Sequence, residues 1–329
     1  MRKKLFLHIG MNKTGTSSIQ DHFRRNRDVF RENGVIYPSL GEGVAAHHAL
    51  LGWSRSPDQY VAEFAQLIQE ARAGERVILS SEALVDLADP TPLKHIFEEF
   101  DITVLIYLRD PVRYLLSWWQ QDIQMSDQYM DADTYLARKR RSYTELVNTW
   151  ITVFGRERVM LRVYDRAQLP DGDVVKDFME ITETSNISGT KRIGWDNNPS
   201  ISGNLLYLKM IYNSLKFPDA RSPEMIMALT DLVKLSPEFR KTPSVSPEIC
   251  EVTRALYESE LEELEREFGI QIPISEQVDG IPVPDLSRLN EDFRLIMKTS
   301  RTKKYPIVKM GKYVRFPERK QNSSEQKKR

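Results

Sequence analysis

The chain of 329 residues contains one cysteine, Cys250. No disulfide can close within it, and no cysteine cluster can hold a metal. Cys250 falls in an amphipathic helical stretch and reads as a small core or surface thiol. Long apolar runs are absent too: nothing approaches the roughly 20 residues of a membrane span. The apolar part of the opening MRKKLFLHIG is only Leu5 to Ile9, too short for the core of a signal peptide. Net charge is missing as well, since 47 Lys and Arg balance 47 Asp and Glu. That argues against a bulk electrostatic nucleic-acid binder. No internal repeat is visible. The expectation is a cytoplasmic protein of a reducing compartment, without stable membrane insertion.

Hydrophobic residues make up 40% of the chain, enough for an ordinary core. Short apolar runs alternate with helical patterns. Residues 3–10, 34–38, 76–82, 102–110 and 158–165 read as strands, and 17–33, 57–74, 92–100, 111–123 and 143–155 as helices. Buried strands alternating with helices predict an α/β fold, a central parallel sheet between two helical layers. This pattern fills residues 1–181, the expected nucleotide-binding core. Residues 182–316, with helices at 205–216 and 247–268, read as a mainly helical and loop-rich part that packs on the core and contributes to the substrate cleft. Residues 317–329 are charged, lack large apolar side chains and are expected to be disordered.

The stretch LHIGMNKTGTSS, Leu7 to Ser18, runs from a strand through small residues into a helix. Free N–H groups of a first helical turn and the helix dipole make such a turn an anion site. Asn12 and Gly15 lie within it, Lys13 adds a cation, and Thr14, Thr16, Ser17 and Ser18 add hydroxyls. The ATP-binding loop G-x-x-x-x-G-K-[ST] does not match: Gly10 precedes Lys13 by three residues, and Gly15 follows the lysine. An acid for a nucleotide-bound metal is not clearly signalled, although strands end in Glu82 and in Arg109-Asp110.

KTGTSS after LHIG resembles the 5′-phosphosulfate loop of sulfotransferases that use 3′-phosphoadenosine 5′-phosphosulfate (PAPS). LIYLRDPVRYLLSWW is similar to their 3′-phosphate motif, an arginine at a strand end and a serine eight residues on, here Arg109 and Ser117. GVIYP, ILSSEAL, WITVFGRERVMLRVYDR and NPSISGNLLYL resemble bacterial members of carbohydrate-sulfotransferase character. The resemblance covers about residues 5–216, and more loosely 245–270. It implies a P-loop-NTPase-like three-layer core and transfer of a sulfuryl group from PAPS to a hydroxyl, with 3′,5′-ADP as product and no metal. It also implies a glycan or glycolipid acceptor. In relatives acting on sugars the base is a glutamate at the strand end that Glu82 matches.

From the residues themselves, Glu82, His47, His48 and His22 are candidates for the general base, with His48 the main rival to Glu82. His22 and His8 read as packed side chains. One of Trp118 and Trp119 should be core while the other is free to stack on a sugar ring, and Gln120 and Gln121 could line an acceptor pocket. ARKRR (137–141) reads as a solvated helix face, with contact to an acidic acceptor as the alternative. TKRIGWDNNPSISGN is the expected lid. Two rival readings stay open: a Mg-dependent kinase-like enzyme, and a nucleotide-binding protein without turnover. The sequence leaves the oligomeric state open.

Overall fold

The computed structural model describes residues 2–40, 44–191 and 200–313. The tail expected to be disordered, and residues 192–199 of the expected lid, lie outside them. By its internal contacts the chain divides into two compact units. One comprises residues 1–118, 136–195 and 247–276, the other 119–135, 196–246 and 277–329.

Five strands form the sheet of the first unit: β1 (Lys4–His8), β2 (Val35–Ile36), β3 (Arg76–Ser80), β4 (Asp101–Leu108) and β5 (Val159–Val163). All neighbours are parallel, in the order β2-β3-β1-β4-β5. The helices in chain order are α1 (Thr16–Arg25), α2 (Arg27–Glu32), α3 (Ala49–Arg55), α4 (Val61–Ala71), α5 (Thr91–Ile96), α6 (Pro111–Met125), α7 (Ala132–Arg138), α8 (Tyr143–Phe154), α9 (Val174–Ile181), α10 (Gly203–Ser214), α11 (Pro223–Leu232), α12 (Pro247–Phe268) and α13 (Leu289–Lys303).

Strand residues alternate between two buried faces. Phe6, Ile78, Leu105 and Tyr107 pack with Ile19 and Phe23 of α1 and with Val175 and Phe178 of α9. Leu5, Leu7, Val77, Leu79, Val104 and Ile106 point the other way and are equally buried, and α8 packs on β4 and β5 and against α5. Helices therefore cover both faces, the expected three-layer α/β class, and only the strand ends remain for a site. The register puts His8 beside Ser80 and Leu105, so β1, β3 and β4 deliver their following residues to one edge.

The helix expected over 17–33 is two helices. Asn26 breaks it, with φ −106° and ψ 19°, because its side chain is bonded elsewhere. Its Nδ2 donates to His22 O at 2.8 Å and Lys191 O at 3.1 Å, and its Oδ1 accepts from Lys191 N at 2.7 Å. A short polar side chain that reaches the backbone competes with helix continuation. Helix α12 belongs to the first unit, where its buried Glu260 caps α8. Glu260 Oε2 accepts from Tyr143 N at 2.6 Å and Thr144 N at 3.2 Å, as a carboxylate at a helix N-terminus should.

The second unit is helical. Buried Asn213 on α10 donates to Ile123 O at 3.0 Å and Gln128 O at 2.6 Å. Its neighbour one turn back, Lys209, donates to Ser126 O at 3.1 Å, and burial pulls its pKa down to about 8. Among the described residues no helix is long and apolar enough to cross a membrane.

Candidate functional site

Beyond β1, Ile9 N and Met11 N still pair with Leu105 O and Tyr107 O, at 3.0 and 3.5 Å. The chain then turns sharply. Lys13 has φ 67° and Gly15 φ 79°, both left-handed. A Cβ on Gly15 would sit 2.7 Å from Val174 Cγ1, so this position requires glycine twice over. Helix α1 starts without a side-chain cap and without an acid in its first turn. Ser18 N and Ile19 N return to Gly15 O. The N–H groups of Thr14, Gly15, Thr16 and Ser17 donate to no backbone carbonyl among the described residues. Adjacent free donors around left-handed residues form a concavity suited to an anion.

The hydroxyls divide. Thr14 Oγ1 donates to Met11 O at 2.6 Å and is buried, so it braces the turn rather than facing outward. Thr16 is buried, Asn12 and Lys13 are half-buried, and Ser17 and Ser18 are exposed.

Arg109 follows β4 and reaches this turn directly, its Nη1 donating to Lys13 O at 2.8 Å. Its guanidinium lies 5.5 Å from the Tyr164 ring centre, and Tyr143 Oη donates to Arg109 O at 2.7 Å. Burial lowers the Arg109 pKa, yet a guanidinium remains a cation in a protein. Two motifs that are far apart in sequence thus meet through one hydrogen bond. Ser117 lies in the second turn of α6, half-buried, with no side-chain hydrogen bond among the described residues. Asp110 is fully engaged: Oδ1 accepts from Val112 N at 2.8 Å, and Oδ2 from Ser275 N at 3.0 Å and from the Ser275 hydroxyl.

The end of β3 supplies the third element. Glu82 opens a 3-10 turn, Glu82–Asp86. Gln20 Nε2 on α1 donates to Glu82 Oε2 at 2.6 Å, which ties the carboxylate to the helix of the anion turn. Gln20 Nε2 also lies 3.3 Å from Ser80 Oγ, itself 2.9 Å from His8 Nδ1. His48 Nε2 is 3.7 Å from Glu82 Oε1, and His48 Nδ1 is 3.0 Å from Ser81 Oγ.

The two adjacent histidines fare differently. His47 is buried; its Nδ1 accepts from Ser80 N at 2.9 Å and its Nε2 donates to Pro38 O at 3.0 Å. Desolvation pulls its pKa down to about 4, so it is a neutral structural ring. His48 and Glu82 stay at the accessible rim. His22 is buried in α1 against Phe23 and Phe30. His8 is buried in β1, where desolvation lowers its pKa to about 3. Gln20 was not foreseen as part of the site. Its place one helical turn after Thr16 was the available signal.

Trp119 is buried and donates to Met130 O at 2.7 Å. Trp118 is half-buried, which makes it the indole open to a ligand. Gln120 is buried with its amide on Ile201 O at 3.0 Å, so it lines no pocket; Gln121 is half-buried. The basic run is solvated as expected, with residues 137–140 exposed, but only its first two residues are helical. Helix α7 ends at Arg138, Arg140 pairs with Glu260, and Arg141 Nη2 donates to Asp86 Oδ1 at 2.7 Å.

No protein-family model and no curated protein matches this chain. Among solved structures, a sulfotransferase from Alicyclobacillus acidocaldarius is similar, with 13% sequence identity and a TM-score of 0.47, covering 83% of this chain and 98% of that one.

Proposed function

We propose that this chain is a PAPS-dependent sulfotransferase acting on a hydroxyl of a carbohydrate or glycoconjugate. The observation that carries the reading is the uncapped β1–α1 turn, hydrogen-bonded to Arg109 on one side and, through Gln20 of α1, to Glu82 on the other. Asn12, Thr14, Gly15, Thr16, Ser17 and Ser18 surround the 5′-phosphosulfate, with backbone N–H groups as the main donors. Arg109 and Ser117 hold the 3′-phosphate; the guanidinium fork suits phosphate oxygens.

In the transfer, the acceptor oxygen forms a bond to sulfur as the bond from sulfur to the phosphate oxygen breaks. The acceptor proton passes to the Glu82 carboxylate, with His48 as the alternative base. The electron pair of the broken bond stays on the departing 3′,5′-ADP, where Lys13 and the turn's N–H groups offset the growing charge. The SO₃ group is formally neutral, so fixed donors can serve where phosphoryl transfer uses a metal ion. The kinase-like reading is disfavoured by Asp110, whose two oxygens are both engaged in capping α6 and holding Ser275.

A thermal-shift panel tests the proposal. At about 100 times its Kd, 3′,5′-ADP should stabilise the protein by about 2.7 kcal/mol, while ADP should not. Stabilisation by ATP with Mg²⁺ and none by 3′,5′-ADP would transfer the support to the kinase-like reading.

A further inference from the structure

A cleft of about 330 Å³ opens in the first unit, and its lining includes Trp118, Asp86, Arg140, Arg141, Glu145 and buried Leu146. Its size falls at the low end of small-molecule sites, roughly 300–1,000 Å³. Some of its lining residues neighbour transfer-site residues in sequence. Asp86 ends the 3-10 turn that Glu82 opens, and Trp118 follows Ser117. Helix α8, which supplies Glu145, is tied to Arg109 by the Tyr143 hydroxyl.

The cleft's charges point to one kind of occupant. Arg141 is paired with Asp86 and Arg140 with buried Glu260, so neither guanidinium is a free cation. Glu145 is exposed and has no ion pair among the described residues. An acidic ring would meet this carboxylate. A neutral ring with several hydroxyls meets none of that repulsion: its O–H groups donate to carboxylates and accept from guanidinium N–H. The Trp118 indole supplies the apolar platform. The Arg141 guanidinium lies 5.3 Å from its ring centre, and the Tyr114 ring, tilted at 49°, lies 5.6 Å away. An aromatic plane beside carboxylates and guanidinium is the chemistry that recognises the face and edge of a sugar ring.

We infer that the cleft over Trp118 is a subsite for a neutral pyranose unit of the acceptor, and that Arg140 and Arg141 do not recruit acidic glycans to it. This deepens, and rests on, the sulfotransferase reading. The test is calorimetric titration of the full chain with cellotetraose and maltotetraose as neutral probes, tetragalacturonate as the acidic one, and 3′,5′-ADP in parallel.

At least one neutral probe should saturate, with tetragalacturonate at least about tenfold weaker, a gap of about 1.4 kcal/mol. Trp118→Ala and Glu145→Gln should each weaken the neutral probe by about fivefold or more. Glu145 is exposed on α8, so its variant keeps the test decisive if the tryptophan variant does not fold. Failure of both neutral probes to bind, tighter binding of tetragalacturonate, or unchanged affinity in both variants overturns the subsite. Absence of 3′,5′-ADP binding alongside neutral-probe binding overturns the transferase reading instead.

Discussion

Two strand-to-helix turns sit at the same edge of the sheet, and they treat their helix N-termini in opposite ways. After β4, Asp110 turns back onto the first N–H groups of α6 and takes Ser275 as well, so the dipole end is filled by the protein's own carboxylate. After β1, the helix begins with Gly15 and Thr16, no side-chain cap and no acid in its first turn, and its leading N–H groups meet no backbone carbonyl among the described residues. Leaving donors unmatched costs stability unless water or a ligand takes them. The difference teaches where to look for a ligand: not at every uncapped helix start, since α3, α5 and α10 also lack a side-chain cap and an acid in the first turn, but at the uncapped start beside which the chain places Lys13 and Arg109. The closed turn has a service of its own, since it fixes the start of the helix that carries Ser117 and Trp118.

The contrast can be broken in four ways. Glu82→Gln should lower turnover by about 10²–10⁴-fold, the usual contribution of a general base, while 3′,5′-ADP still binds; His48→Ala producing that result instead would move the base to His48. Lys13→Ala should lower turnover by about 10²–10³-fold, in line with loss of one preorganised donor to developing charge. Near-normal turnover would remove Lys13 from the mechanism. Ser17→Asp would make the open turn resemble the closed one. The new carboxylate at the start of α1 should raise urea resistance by about 0.3–1 kcal/mol and weaken 3′,5′-ADP by at least about tenfold. An affinity unchanged by that charge would show that the phosphate lies elsewhere. Asp110→Ala should cost about 1 kcal/mol of stability, the typical value of a lost cap, measured as the urea midpoint. No loss there would mean that the closed turn is not held by its acid.

The core was legible because its signals are local. Runs such as VILS and VLIYL can be satisfied only by strands buried on both faces, and the small-residue turn carrying Lys13 has its meaning within a dozen residues. Glu82 and Arg109 could be placed at one edge because a parallel sheet delivers every strand end to the same side. The misreadings share a cause. Asn26 breaks the first helix through a backbone 165 residues away. Gln20 finds Glu82 across 62 residues. Arg140, although exposed, and Arg141 are paired with Glu260 and Asp86, residues distant in sequence. Of the adjacent pair His47 and His48, burial alone separates a locked ring from one at the rim.

The order of residues by itself determined the layered α/β class, the turn with its glycine and lysine, and which strand ends carry a carboxylate and a guanidinium. These follow from hydrophobic period and backbone sterics, which act over a few neighbours. Only the tertiary structure decided which polar groups are engaged and which remain available: that Asp110 is consumed by a cap, that the turn after β1 is not, and that the two arginines near Trp118 are already neutralised. Hydrogen bonds and ion pairs are made between whichever groups packing brings within about 3 Å, and that proximity is a property of the folded chain, not of its spacing.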